Sequence, residues 1–166
     1  TCIQACPNHN LIREAIMTIS KAEDYEKTHE QAVEEAWHLF AITTPFPAVC
    51  GRICPHPCET HCNRNALEGA VTINALERYI GDFGLEKKLV PKKPAEETKS
   101  EKVAVVGAGP AGLSCAYHLA RLGYHVTVLD AFPKAGGTLR YGIPACRLPR
   151  EVLDGEIDRI VEMGVE

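Results

Sequence analysis

The sequence predicts an α plus α/β chain. An all-helical N-terminal domain covers residues 1–84, and the first half of a doubly wound α/β domain covers 102–166, with a linker at 85–101 between them. Three observations predict this. Apolar residues recur at helical spacing through the first half. LEKKLVPKKPAEETKSE, residues 85–101, is rich in Lys, Glu and Pro and poor in apolar side chains, as befits a solvated linker or an extended strap. Beyond it the pattern becomes strand, glycine loop, helix, strand: KVAVV, GAGPAG, LSCAYHLARLG, YHVTVLD.

The first helix is expected over 10–21, where Leu11, Ile12, Ala15, Ile16 and Ile19 share a face. The second runs from about Tyr25 to Ile42 on Val33, Ala36, Trp37 and Phe40, and the third over 72–83 on Ile73, Leu76, Ile80 and Phe83. A final helix over 150–163 ends before Gly164. A net charge of −4 and a pI near 6.0 give no electrostatic footprint for nucleic acid. No apolar run approaches the roughly 18–20 residues that a membrane span needs. The chain begins at Thr1 with neither Met nor signal peptide, so its true start is expected to lie upstream.

Of eight cysteines, six precede residue 63: Cys2, Cys6, Cys50, Cys54, Cys58 and Cys62. That distribution does not suit a secreted disulfide scaffold and points to metal-bound thiolates in a reducing cytoplasm. Four of them form a ladder at positions 50, 54, 58 and 62, with Pro55 and Pro57 between. Interior prolines cost a helix about 3 kcal/mol each, so the ladder is expected to be a loop. Cys6-Pro7 and Cys54-Pro55 repeat a pairing common at iron–sulfur ligands. Zinc is the competitor, since the x₃ spacing suits it and His56 and His61 could join as ligands. Six thiols, however, exceed one zinc and fall short of two, so an iron–sulfur cluster is favoured and the histidines read as exposed loop residues. Glu77 lies at the margin of the third apolar stripe. On the residues alone it reads as a carboxylate facing water or an arginine, the sharper alternative being a non-cysteine cluster ligand.

Gly107, Gly109 and Gly112, with Pro110 and Ala111 in the same turn, form G-x-G-x-x-G after a strand and at the head of a helix. Asp130 ends the second strand, eighteen residues after Gly112. This is the Rossmann-like dinucleotide pattern: glycines for the turn, for approach of a pyrophosphate and for helix–strand packing, and an acid for a ribose hydroxyl. The loop does not separate FAD from NAD. A second glycine turn, Gly136-Gly137-Thr138, favours FAD because the chain can pass a flavin there. Cys115 is expected to be buried packing, and Cys146 to lie near a bound cofactor.

Together CIQACP, PFPAVCGRICPHPCETHCNR, INALERYIGD, VAVVGAGPAGLSCAYHLARLGYHVTVLD and AGGTLRYGIPACRLPREVLDGEI resemble one family over nearly the whole chain. It comprises the small flavin-containing subunit of NADPH-dependent glutamate synthase and its relatives, among them the reductase half of dihydropyrimidine dehydrogenase and the large subunit of NADH-dependent ferredoxin–NADP oxidoreductases. The resemblance implies an N-terminal fragment of an oxidoreductase subunit with two [4Fe–4S] clusters and FAD, and NAD(P)H bound by a domain beyond this chain. It implies a partner redox subunit or ferredoxin, and a hetero-oligomer for the full-length protein. It makes Cys6, Cys54 and Cys58 ligands of one cluster, with Glu77 at the position of a carboxylate or amide ligand in some relatives. Cys2 and Cys62 would serve a second cluster, completed by an upstream Cys-x-x-Cys, and Cys50 is left over or competes for the role of Glu77. Gly107, Gly109 and Gly112 would approach the FAD pyrophosphate, Asp130 the ribose, and Gly136, Gly137 and Thr138 the flavin. Cys146 stands where an aromatic is usual. Electrons running outward to NAD(P)⁺, or a zinc-stabilised interaction module without enzymatic activity, are the competing readings.

Overall fold

Capping residues and prolines set where the helices begin. In the computed structural model, which describes residues 1–92 and 98–166, Thr1 and Gln4 form a capping box that starts α1, Cys2–Ala5. Thr28 and Gln31 do the same for α3, His29–Ala41. Pro47 opens α4, Pro47–Ile53, and Pro57 opens α5, Pro57–Thr60, at the positions where a missing N–H does no harm. Ile12–Ser20 forms α2, and Ile73–Glu86 forms α6. The described residues divide into two compact units, Thr1–Leu89 and Val90–Glu166. Their division falls inside the stretch expected as linker, of which residues 93–97 lie outside the described residues.

In the first unit the apolar faces of α2, α3 and α6 close around Trp37 and Phe40, with Ile12, Val33, Ile73 and Ile80 beside them. Helices α2 and α3 pack against each other and α1 meets α5, so the N-terminal cysteines come back to the ladder. Two expectations change. The helix expected from Tyr25 starts at His29, because Tyr25 closes a 3₁₀ turn and Glu26 takes a left-handed φ of 54°. The ladder is not a loop: Cys50 lies in α4 and Cys58 in α5. Pro57 stands at a helix start and Pro55 in the break between the two helices, so neither proline interrupts a helix interior.

Helices α4 and α6 touch backbone to backbone. A Cβ added at Gly81 would lie 2.3 Å from the Ala48 nitrogen, and one at Gly51 would lie 2.4 Å from Arg78 Cα. Gly84 abuts the Trp37 indole, where a Cβ would fall 2.0 Å from Nε1. The bidentate Arg52–Asp82 pair, at 2.7 and 3.0 Å, locks the same seam from its edge. Glu59 of α5 accepts the Asn74 N–H at 2.8 Å in the first turn of α6.

In the second unit β1, Lys102–Val106, pairs in parallel with β2, His125–Leu129, with Val105 opposite Val128. The crossover is α7, Pro110–Arg121. Two further helices follow, α8, Thr138–Tyr141, and α9, Arg150–Glu162, the latter packed on α7. Beyond Gly164, whose φ is +94°, Glu166 joins the open edge of β2: its N–H donates to Val126 O at 3.0 Å, and its carbonyl accepts from Val128 N at 2.6 Å. Leu113, Ala116, Tyr117 and Ala120 form the buried face of α7. Cys115 falls off that face and is exposed, which corrects its expected burial. Within α9 the buried pair Glu156 and Arg159 is ion-paired, and burial pulls the Arg159 guanidinium down to about 10, still charged at neutral pH. No helix among the described residues is long and apolar enough to cross a membrane.

Candidate cofactor sites

Five side chains of ligand type come near one another in the first unit: Cys6, Cys50, Cys54, Cys58 and Glu77. Cys6 and Cys54 each cap a short helix in extended conformation, so their sulfurs leave the helix just before a proline. His56, left-handed at φ 45°, turns the chain back and donates its N–H to Cys54 Sγ at 3.3 Å. Cys58 is buried at the second position of α5. The glycine seam carries Glu77 of α6 towards Cys50 of α4, and the carboxylate is only 7% exposed.

These groups feel one another electrostatically. The Cys50 thiol is pushed up by burial and then by the charges of Glu77, Cys54 and Cys6. Cys54 is raised by burial and by Glu77 and Cys6, against the His56 N–H, which lowers it. Cys58 is pushed to about 11 by burial, Cys54 and Cys6, and burial lifts Glu77 to about 7. Among the described residues, no lysine or arginine is among the neighbours acting on the four. Such a set of acids and thiols has the chemistry to hold a positively charged metal centre, whose binding would displace their protons. Among the described residues no three Cys, His, Asp or Glu side chains close on one ion-sized point. A tetrahedral zinc needs that convergence, whereas a cubane takes each thiolate on a separate iron. Each histidine holds a backbone carbonyl through Nδ1, which orients the ring without using Nε2: His56 Nδ1 lies 3.1 Å from Cys54 O, and His61 Nδ1 lies 3.0 Å from Pro57 O.

Cys2 and Cys62 stand apart from this set. Both line a cavity of about 540 Å³ with Arg13, Arg64, Ile16 and Val71. The Cys62 thiol is held below its ordinary value by N–H groups of Val71 and Arg64 and by the Arg64 charge, and no other cysteine acts on it. The evenly spaced ladder therefore serves two places: Cys50, Cys54 and Cys58 face one, Cys62 the other.

In the second unit the glycine loop leaves β1 at Gly107, whose φ of +101° suits only glycine. A Cβ at Gly112 would sit 1.8 Å from the Gly107 carbonyl oxygen, so the third glycine lets α7 pack on the loop. Gly109 differs. Its φ of −80° suits any residue, and a Cβ there would meet only Gly137 Cα, at 3.9 Å. Gly109 thus keeps clear the space before the α7 N-terminus, where no side chain caps the helix and its orphan N–H groups attract an anion. Pro110 and Ala111 form the first turn of that helix. The Gly136-Gly137 turn lies directly on the loop: Gly136 N donates to Ala108 O at 2.7 Å, and a Cβ on Gly137 would reach 2.7 Å from Gly109 Cα. Thr138 then opens α8 beside it. Asp130 Oδ1 accepts from Phe132 N at 2.7 Å and Oδ2 from Ala108 N at 2.5 Å. Those donors hold its carboxylate below the usual range, and a carboxylate with about four acceptor positions still has capacity for a ribose hydroxyl. Cys146 is exposed.

The loop supports a paired prediction. Gly112→Ala is expected to destabilise the second unit by about 1–3 kcal/mol through overpacking. Gly109→Ala is expected to melt within about 0.5 kcal/mol of the parent yet bind FAD at least about tenfold more weakly, a difference of 1.4 kcal/mol. Thermal melts and flavin titration of the full-length protein check both, and unchanged affinity in Gly109→Ala refutes a pyrophosphate at this turn.

Sequence reasoning left Cys50 open between a spare thiol and a competitor of Glu77, and it missed two things: the burial of Glu77, and Asn10, whose amide donates to Glu77 Oε1 at 3.4 Å. Gly81, one turn after Glu77 on α6, is the available signal that this face meets another backbone.

The sequence family described as dihydropyrimidine dehydrogenase domain II, 4Fe-4S cluster, matches residues 1–89, and that described as FAD dependent oxidoreductase matches residues 102–141. The chain is 41% identical to the NADPH-Fe(3+) oxidoreductase subunit beta of Geobacter sulfurreducens, covering 99% of this chain and 24% of that protein. It is 41% identical to the NAD-dependent dihydropyrimidine dehydrogenase subunit PreT of Salmonella typhimurium, covering 99% and 38%. It is 39% identical to the glutamate synthase [NADPH] small chain of Escherichia coli, covering 99% and 34%. The chain thus spans well under half the length of these relatives. With more than half of its residues matched by the first of those families, the chain belongs to the family of dihydropyrimidine dehydrogenase domain II, the 4Fe-4S cluster domain.

Proposed function

We propose that this chain is the cluster-bearing and flavin-loop portion of an NAD(P)H-dependent FAD/iron–sulfur oxidoreductase subunit. The separation of the ligating side chains into two sets carries the reading. Cys6, Cys54 and Cys58 hold one [4Fe–4S] cluster with Glu77 as fourth ligand, and Cys50 is the alternative to Glu77 in that role. Cys2 and Cys62 hold part of a second, whose remaining ligands come from a Cys-x-x-Cys upstream. The second unit is the first half of a doubly wound FAD domain, with Gly107, Gly109, Pro110, Ala111 and Gly112 at the pyrophosphate, Asp130 at the ribose and Gly136, Gly137 and Thr138 along the flavin. When bound, FAD supplies the exchange between two-electron nicotinamide chemistry and one-electron cluster chemistry. The residues bind and orient: the α7 N-terminus faces the phosphates, and the apolar helical core covers Cys58 and borders Cys6. Electrons pass to or from a partner redox subunit or a ferredoxin, and eight unpaired cysteines suit a cytoplasmic setting.

The test is iron, acid-labile sulfide, zinc and flavin analysis of the anaerobically prepared full-length protein. About eight irons and eight sulfides, from two [4Fe–4S] units, are expected with one FAD. Stoichiometric zinc without sulfide overturns the reading.

A further inference from the structure

A buried hydrogen-bond chain reaches Glu77 from two other segments. Asn10, 3% exposed just before α2, donates from Nδ2 to Glu77 Oε1 at 3.4 Å. Its Oδ1 accepts from the hydroxyls of Thr43 and Thr44, each at 2.7 Å, just after α3. Thr44, fully buried, also accepts from Asn8 Nδ2 at 3.4 Å. The carboxylate settles which way the amide points, because flipping it would set the amide oxygen against an acceptor, and the threonine hydroxyls then donate to Oδ1.

From this chain we infer that Asn10 is a positioning residue for Glu77, orienting the carboxylate for iron and raising the potential of the first cluster; the inference rests on the reading of Glu77 as a ligand. As a purely structural pair the arrangement is poor. A nearly buried carboxylate with a single long bond to a neutral amide is expensive to desolvate, and an apolar residue would pack there at lower cost. An arginine at position 10 would compensate the charge but would also compete with iron for the carboxylate. A neutral donor fixes one oxygen and leaves the charge available to the metal. Partners of this kind set the basicity of ligands and the potentials of clusters. Donation to a ligand draws electron density from the irons and stabilises the reduced form, so removing it moves the potential negative.

The test uses the full-length protein, prepared anaerobically, with Asn10→Ala, Asn10→Asp, Thr44→Val, Thr44→Ser and Glu77→Ala. Iron and sulfide content are measured, together with EPR-monitored redox titration of both clusters. Asn10→Ala and Thr44→Val are expected to shift the first cluster's potential negative and change its EPR signal, with the second unchanged. Asn10→Asp, which places a second acid beside Glu77, is expected to shift it further or lose about half of the total iron, one cluster of two. Thr44→Ser restores parent behaviour because it keeps the hydroxyl. Thr44→Val exchanges a hydroxyl for a methyl of similar shape, so it carries the test if Asn10→Ala does not fold. Parent spectra and potentials in Thr44→Val and Asn10→Asp, with only a lower melting temperature, reduce the chain to a structural hub and overturn the inference. An unchanged first cluster in Glu77→Ala overturns the ligand reading and the inference with it. A changed cluster in Glu77→Ala beside unchanged Asn10 and Thr44 variants overturns the positioning role alone.

Discussion

Cys58→Ser in the full-length protein is expected to abolish one cluster signal and leave the other, and Cys62→Ser to do the reverse. The two residues are four apart in sequence, so a single site served by the whole ladder would lose everything with either. Cys58 is buried and responds to Cys54 and Cys6. Cys62 responds to none of them and opens on the cavity shared with Cys2. Each substitution should remove about four irons and four sulfides, one cubane. EPR of the reduced protein identifies which signal disappears, and Cys2→Ser should reproduce the Cys62→Ser spectrum. If both serine variants lost the same signal, the division into two sets would be wrong.

Gly81→Ala is the second change with a large expected effect. One methyl group there must occupy space already held by the Ala48 backbone, at 2.3 and 2.5 Å from its nitrogen and Cα. Backbone cannot rotate aside as a side chain can, so α4 and α6 must separate. Overpacking of this kind costs about 1–3 kcal/mol, occasionally more, and this contact belongs at the upper end. The separation also moves Cys50 on α4 away from Glu77, four residues before Gly81. A lower melting temperature together with loss of the first cluster's iron is expected, the second cluster being retained. A protein that melts and loads like the parent would show that α4 and α6 do not meet backbone to backbone at this position.

Much of the fold was legible because burial imposes a period. The helices at 12–20, 73–86 and 150–162 and both strands lie where apolar spacing placed them. Where reading failed, the cause was local. Pro55 and Pro57 point to a loop if read as helix breakers, but Pro57 stands at the first helical position, where proline favours the helix, and Pro55 falls in the break between α4 and α5. Cys115 was placed among small residues, whereas the buried stripe is 113, 116, 117 and 120 and passes it by. Glu77 lay at the edge of an apolar stripe, where a carboxylate usually meets water. Its burial depends on α4, whose approach only the glycines of α6 hinted at. The glycine loop was readable in full because each of its glycines answers to the local backbone or to the space in front of it. Asn10 was not readable, since its partners are 33, 34 and 67 residues away.

The first ligand set spans the chain from Cys6 to Glu77. On the proposed assignment the cluster is therefore a crosslink as well as an electron carrier. Tying residues so far apart restricts the unfolded chain as a disulfide does, by about 4 kcal/mol for a loop of roughly 70 residues. Iron supply would then govern how long the polypeptide survives in the cell: with the tie unmade, the short helices α1 and α5 have little to hold them and become the first points of proteolytic attack.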